Sequence, residues 1–343
     1  MTSVPRKPVT IRDVATASEM SLPAVSQILN NKGAYRPETR ERVITAAAKL
    51  GYRPNAYAQA MTKGRFRAVA LLVPTEKSLG LVSSPLLLAA EEQLARHGHH
   101  LMVARLPDDQ LSSEGQVPRI LSSLMVDGLL IAYNAKIPAR MIELMRHIPS
   151  VWIHSQQPDS AVYPDDAGAA REATLGLAAL GHRRIAYACF TIFRGENPWH
   201  YSGNARREGY LAAMAEAGLA PQLWMPETRV LASERLAFAR QCVADPDRPT
   251  AVVCSTPETA NPLAMAAAQA GLTLPGALAL VTFSQGPTSE TGLAIATMLL
   301  PGEAMGTCAV DMLMAKLEGG KTPSQSMKLV LAPGETWTAP AAR

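Results

Sequence analysis

With 343 residues, 33 basic against 29 acidic side chains and 48% hydrophobic content, the chain has room for two or three domains and ample apolar material for their cores. Cys189, Cys242, Cys254 and Cys308 are widely spaced with no CxxC pair, which argues against a disulfide framework or a cysteine zinc site and for buried free thiols. Charge is unevenly shared: residues 1–67 hold 12 Lys+Arg and 4 Asp+Glu, net +8, whereas the remainder holds 21 and 25, net −4. A basic segment on a mildly acidic body is the footprint of nucleic-acid binding by that segment alone, and it excludes a uniformly basic protein. MTSVPRKPVT contains no apolar signal core, and no later apolar run is long enough to span a bilayer, so a cytoplasmic protein without membrane contact is expected.

Thr10-Ile11-Arg12-Asp13 has the form of a capping box and starts a first helix at Ile11, with Val14, Ala15 and Ala17 as its apolar side. Ser18-Glu19-Met20 is a short connection. Ser21 is a good N-cap for a second helix, with Pro23 in the first turn, where a missing N–H costs little. Val25, Ile28 and Leu29 recur at helical spacing, leaving Leu22, Pro23, Ser26 and Gln27 at the exposed end and outer face. In a helix-turn-helix this end of the second helix enters the major groove. A third helix from Pro37 carries the stripe Val43, Ala47, Leu50 and stops at Gly51, among Arg36, Arg40, Arg42, Lys49 and Arg53. Pro54-Asn55 breaks the chain. Ala56–Thr62 forms at most two helical turns, too short to stand without a partner.

From residue 68 short apolar runs alternate with helical segments. Strands are expected at Ala68–Val73, His100–Ala104, Gly128–Ala132 and Val151–His154, with helices at Leu86–Arg96, Gln116–Leu124 and Ala139–Arg146. After Asp165-Asp166 a second series follows: helices at Ala167–Leu180, Ala205–Ala217, Ser233–Ala244 and Pro262–Ala270, strands at Arg184–Ala188, Ala251–Cys254 and Ala277–Phe283. Two βα series imply two lobes with parallel sheets, their ligand-facing residues at the carboxyl ends of the strands.

Asp13-Val14-Ala15, Val25-Ser26, Thr39-Arg40-Glu41-Arg42-Val43, Leu50-Gly51-Tyr52 and Pro54-Asn55 resemble, in order and spacing, the DNA-binding head of the LacI/GalR family of bacterial repressors. Leu180-Gly181-His182-Arg183-Arg184-Ile185-Ala186-Tyr187, Arg206-Arg207-Glu208-Gly209-Tyr210 and, more weakly, Asp127-Gly128-Leu129-Leu130-Ile131 extend the likeness to the family's effector domain. The resemblance implies an α/β protein: a small all-α helix-turn-helix head (1–55), a hinge helix and linker (56–67), and a two-lobed periplasmic-binding-protein-like body (68–343) of Rossmann-like subdomains. The chain would cross between lobes near 163, 291 and 323, placing 68–163 and 291–323 in lobe 1 and 164–290 and 324–337 in lobe 2.

The resemblance further places Leu22, Pro23 and Gln27 at base-reading positions and Met61 at the apolar wedge that paired hinge helices insert into the minor groove. Thr10, Ser21, Ser26, Asn30, Arg36, Thr39, Tyr52, Asn55 and Ala58 complete the DNA-contacting set. Two positions depart from the family. Glu19 replaces the usual glycine of the turn, and Gln27 replaces the common arginine after the recognition-helix serine; glutamine suits adenine better than guanine.

Arg206 falls on the family's effector-contacting arginine, able to donate a bidentate pair to hydroxyls or a carboxylate. His154 ends a strand where relatives place a polar contact, or is a satisfied structural histidine. Trp199, His200 and Tyr201 lie in a polar loop before the Arg206 helix; an aromatic there stacks on a sugar or merely packs. Ser84, Asp165, Thr256 and Ser284 complete the ligand set. Where relatives carry Asn-Asp the chain has Thr256-Pro257, and where they carry Gly-Phe-Asp-Asp it has Thr282-Phe283-Ser284-Gln285. A neutral pair near Arg206 would admit an acidic or phosphorylated sugar; the alternative is a divergent, weakly binding pocket.

His97-Gly98-His99-His100 reads as a solvated turn rather than a metal site, and no nucleophile elbow, P-loop or strand-borne GxGxxG exists. No enzyme activity and no cofactor are expected. The reading is a homodimeric repressor of carbohydrate-utilisation genes, binding double-stranded DNA at a pseudo-palindromic operator and controlled by a small sugar-like effector. The rival is a solute- or sugar-binding protein without a DNA role.

Overall fold

The computed structural model describes residues 9–53, 64–74, 82–106, 121, 125–132, 139–192, 200–228 and 230–341. Of the expected helix at 116–124 only Leu121 is described, helical and buried, and the hinge helix falls outside these residues. The chain divides into two compact units, Met1–Arg67 and Ala68–Arg343.

The first unit holds α1 (Ile11–Ser18), α2 (Leu22–Leu29) and α3 (Pro37–Leu50). Thr10 donates both its backbone N–H and its hydroxyl to Asp13 Oδ2, at 2.7 Å each, and so fixes the start of α1. Ser21 caps α2, its hydroxyl accepting from the Ala24 N–H at 3.4 Å. Gly51 ends α3 in the left-handed region, where the Tyr52 N–H reaches back to the Ala47 carbonyl at 2.9 Å. Val14, Ala15, Val25, Ile28, Val43 and Ala47 form the core these helices share. Burying each Val or Ile contributes about 1.5–3 kcal/mol. Glu19 holds φ +54°, so the turn keeps a left-handed geometry without the glycine that reaches it at no steric cost.

The second unit is two parallel-sheet lobes. Lobe 1 contains β1 (Ala68–Pro74), α4 (Ser84–Arg96), β2 (His100–Leu106), β3 (Gly128–Ile131), α5 (Ala139–Arg146), β4 (Ser150–Ile153) and β5 (Ala161–Pro164). Lobe 2 continues with α6 (Asp166–Ala179), β6 (Ile185–Ala188), α7 (Tyr201–Glu216), β7 (Gln222–Trp224), α8 (Arg235–Ala244), β8 (Ala251–Cys254), α9 (Pro257–Gln269), β9 (Ala279–Ser284) and β10 (Ala296–Leu299). The chain then returns for α10 (Gly302–Leu317) and β11 (Gln325–Met327), and ends its regular structure with β12 (Val330–Ala332). The sheet orders are β11-β5-β4-β3-β1-β2 and β12-β10-β9-β8-β6-β7. Among the described residues every pairing between these strands is parallel except β10 with β12.

Both faces of each sheet are covered, which is why the strands read as unbroken apolar runs. Val69 and Leu71 point toward α4 and α10, Ala70 and Leu72 toward the opposite layer. In lobe 2, Ala251 and Val253 face α6 and α7, whereas Val252 and Cys254 face α8 and α9. Cys189, Cys242 and Cys254 are buried thiols and Cys308 is half-buried.

The crossings between lobes lie after β5, after β10 and after β11. The second and third therefore fall later than the expected 291 and 323. Ala296–Leu299 pairs with β9 in lobe 2, and Gln325–Met327 pairs with β5 in lobe 1. α7 begins at Tyr201 rather than Ala205, and α9 at Pro257 rather than Pro262. Thr256-Pro257 supplies the cap-plus-proline start, and Pro262 sits inside the helix.

Candidate functional site

In the head, Leu22 is 41% exposed, Ser21 and Pro23 are exposed beside it at the start of α2, and Gln27 is exposed further along the helix. The short apolar stripe of α2 faces α1 and α3, so its polar side is what remains for a partner. Several expected contacts already have internal partners. Thr10 is bonded to Asp13, and the Asn30 side chain donates to the Ser26 carbonyl at 2.7 Å, closing the end of α2. Gln27 Oε1 accepts from the Tyr35 hydroxyl at 2.7 Å, a bond that sequence reasoning missed because Tyr35 lies in an irregular loop. Arg36 is exposed at the start of α3, Thr39 half-buried within it, and Tyr52 half-buried against the head core, where burial raises its phenol pKa. Asn55, Ala58 and Met61 lie outside the described residues.

In the body, the centre is Arg206 on α7. It is only 7% exposed, and its Nε and Nη2 both reach Asp166 Oδ1 at 2.7 Å. Nη1 donates to the Ser255 carbonyl just beyond β8, and the guanidinium lies 4.4 Å from the centre of the Phe283 ring on β9. Four segments of lobe 2 thus converge on one charge. Gly209 makes this possible: a Cβ there would collide with the Ala167 carbonyl oxygen, so only glycine lets α7 lie against the start of α6. Of the adjacent acids, Asp165 is the helix cap, its Oδ1 accepting from the Gly168 N–H at 2.9 Å. Asp166, absent from the expected site, is the residue turned inward.

Lobe 1 presents His154, just beyond β4, with φ +57° and 2% exposure. Its carbonyl accepts from His200 Nε2 at 3.0 Å, and the two rings stand 6.4 Å apart. His200 and Tyr201 are the cap and first residue of α7 rather than loop residues, and the Tyr201 ring packs edge-on to Tyr163 at 6.1 Å. Burial, with Arg206 adding repulsion, pushes His154 down to about 3; for His200 burial lowers it to about 4 against the opposing pull of Asp166. Both imidazoles are neutral at pH 7. Burial and the Asp166 charge hold the Tyr201 phenol above its ordinary value.

Three buried polar atoms of these elements have no hydrogen bond of ordinary geometry: His154 Nε2, Asp166 Oδ2 and Thr256 Oγ1. Buried polar atoms are nearly always partnered, so such a cluster marks a place built for a polar guest. The Asp166 carboxylate also acts on the Tyr201 phenol, through its charge and a side-chain hydrogen bond that help raise that pKa. Ser84 is exposed in the first turn of α4, and Ser284 is half-buried at the end of β9. Trp199 lies outside the described residues. The two places read as lacking an acid, Thr256-Pro257 and Ser284-Gln285, are neutral, but Asp166 stands beside Arg206 and offsets its charge.

A groove of about 1030 Å³ includes Gln285, Pro301, Cys308, Asp311 and Lys321 but none of Arg206, Asp166 or His154, so volume alone does not locate the site. The rings of His97 and His99 turn to different acids, Asp311 and Asp127, each at 3.7 Å. Among the described residues no three His, Cys, Asp or Glu side chains are placed to share a metal. No described helix is long and apolar enough to cross a membrane.

Residues 10–55 match the bacterial regulatory proteins of the lacI family, and residues 176–336 match the periplasmic binding protein-like domain. The chain joins a lacI-family DNA-binding domain to a periplasmic-binding-protein-like domain. It is 28% identical over 339 residues to the HTH-type transcriptional regulator GntR of Escherichia coli (strain K12), covering 96% of this chain and 98% of that one. It is 25% identical over 329 residues to the HTH-type transcriptional repressor PurR of Escherichia coli O139:H28 (strain E24377A / ETEC), covering 93% and 94%. Its fold is that of the lac repressor dimer bound to operator and the anti-inducer ONPF, with a TM-score of 0.78 over 97% of this chain and 100% of that one at 21% identity. This chain is therefore a DNA-binding transcriptional regulator with a ligand-binding type of body.

Proposed function

We propose that this regulator acts as a homodimeric cytoplasmic repressor of carbohydrate-utilisation genes, with no enzymatic activity. Residues 1–55 serve as the DNA-binding head, 56–67 as hinge and 68–343 as the effector and dimerisation domain. Leu22, Pro23 and Gln27 read bases of a pseudo-palindromic operator, and the remaining head contacts up to Asn55, with Ala58 and Met61 of the hinge, fix register on the backbone and centre.

The observation that carries the effector reading is the neutralised Arg206–Asp166 pair beside unpartnered acceptors. A guest with several hydroxyl groups satisfies it: its O–H groups donate to Asp166 Oδ2 and the neutral His154, and its oxygens accept the remaining Arg206 N–H groups. The effector is accordingly an uncharged sugar or polyol, seated by Arg206, Asp166 and His154 of the two lobes, with Thr256 and Ser284 at the margin. Binding changes how the lobes meet and thereby the affinity for DNA, a coupling between two distinct sites.

The test is operator affinity of the full-length protein, using the region upstream of its own gene, with neutral sugars, uronates and sugar phosphates in parallel. A neutral compound that shifts DNA affinity, with the shift lost in Arg206→Ala, is the expected result. A response confined to uronates or sugar phosphates overturns the assigned ligand class. Affinity that falls steeply with salt is expected of phosphate contacts by the +8 segment, and a flat salt response sinks the DNA role.

A further inference from the structure

We infer that Tyr35 sets the base preference of Gln27, turning it from a reader of adenine into a reader of guanine. The inference rests on Gln27 being a base reader, as proposed above. A free glutamine recognises adenine with both ends of its amide, Oε1 accepting from N6–H while Nε2 donates to N7. Here the Tyr35 hydroxyl donates to Oε1 at 2.7 Å. One of the two lone pairs of Oε1 is engaged and that end of the amide is held at Tyr35, which leaves Nε2 with its two N–H donors as the freer end and biases the side chain toward donation in the groove. Guanine is the base whose major-groove edge offers two acceptors, N7 and O6. Cytosine offers a donor there, and thymine a single acceptor.

The surrounding loop is shaped for this bond. Gln27 is exposed and would otherwise sample many rotamers, whereas the Tyr35 ring is half-buried and packs against the head core. The chain between them passes through two left-handed residues, Asn31 at φ +55° and Gly33 at φ +78°. Arg40 ties that loop to α2 and α3, donating to Asn31 Oδ1 at 2.9 Å and reaching the Ile28 carbonyl at 3.4 Å and the Gly33 carbonyl at 3.5 Å. Gly33 leaves the room: a Cβ there would stand 2.6 Å from Tyr35 Cε2 and 3.0 Å from Gln27 Oε1. Tyr35 is thus a positioning residue, acting on DNA through Gln27.

The experiment selects binding duplexes from a randomised pool with the full-length protein, then with Gln27→Ala, to find the operator position that Gln27 reads. Affinity is next measured on four duplexes differing only there, for the wild type, Tyr35→Phe and Gly33→Ala, with melting curves to establish that each variant is folded. The wild type is expected to favour guanine over adenine by about tenfold, the scale of a good direct contact. Tyr35→Phe, which removes one oxygen and keeps the ring, is expected to erase or invert that ratio by improving adenine, with preferences elsewhere unchanged. Gly33→Ala, which displaces the ring, is expected to relax the same position. A wild-type preference for adenine overturns the inference. So does a Tyr35→Phe protein that weakens all four duplexes by one factor, the mark of a merely structural role. If Gln27→Ala changes no position, the base-reading role falls and the inference falls with it; if Gln27→Ala changes one and Tyr35→Phe does not, only the role of Tyr35 is refuted.

Discussion

The head and the body of this regulator treat polar side chains in opposite ways. In the head, Thr10 and Gln27 are exposed and yet hydrogen-bonded within the unit, to Asp13 and Tyr35. In the body, His154 and Asp166 are buried and each keeps an atom without a bond. Exposed bonds contribute about 0.5–1.5 kcal/mol net and exchange readily with water or DNA, whereas a buried orphan costs about 1–3 kcal/mol. The head therefore selects a partner through orientation set in advance. The body holds its site at a cost that a fitting ligand removes, so ligand binding should also raise its stability.

The comparison breaks most sharply at Asp166. Asp166→Ala leaves the 7%-exposed Arg206 without its counter-charge and is expected to destabilise the body by about 3–5 kcal/mol in urea unfolding, with the head transition unmoved. A mild effect would mean that solvent reaches the guanidinium freely. Acid is the next lever. His154 and His200 stay neutral in the folded chain down to about 3 and about 4, while unfolded imidazoles protonate near 6.5. The unfolded state thus binds more protons in that interval, and stability is lost as pH falls below 6.5. Between pH 7 and pH 5 the pair should account for roughly 2–4 kcal/mol, reduced in His154→Gln; equal pH profiles for that variant and wild type would remove His154 from the account.

Gly209→Ala forces α7 away from α6 and is expected to cost about 1–3 kcal/mol and to weaken effector response more than DNA binding in effector-free protein. The smallest effect belongs to the head. Glu19→Gly relieves a left-handed glutamate and should stabilise that unit by about 0.5–1 kcal/mol, seen as a higher melting temperature; destabilisation would show that the Glu19 side chain makes a compensating contact.

What could be read in advance follows the same division. Strands such as β1 and β8 were legible because burial on both faces writes an unbroken apolar run. The same double burial hid α10, in which Met305, Ala309, Val310, Met312, Leu313 and Met314 are all covered, so no single stripe at helical spacing stands out. β7, β11 and β12 are three residues each, too short for any period. α7 begins four residues before the expected Ala205 because its cap is His200, outside the usual Ser, Thr, Asp and Asn set. At the site, Arg206 was recognisable from its motif and the spacing to Gly209. Asp166 was not, because two neighbouring aspartates look alike in a sequence, and only the register of α6 decides that one caps and the other turns inward.

The three crossings between lobes also bear on how the molecule is made. Lobe 1 is begun by residues 68–164 but lacks the helix at 302–317 and the edge strand at 325–327 until the whole of β6 to β10 has been synthesised. On a ribosome, the layer formed by Val69, Leu71, Leu86, Leu94 and Leu130 would wait uncovered through that interval, since Met305, Ala309, Val310 and Leu313 complete it. Neither lobe can mature from a continuous stretch of nascent chain, and premature termination before residue 302 would release an apolar, aggregation-prone surface rather than a smaller working protein.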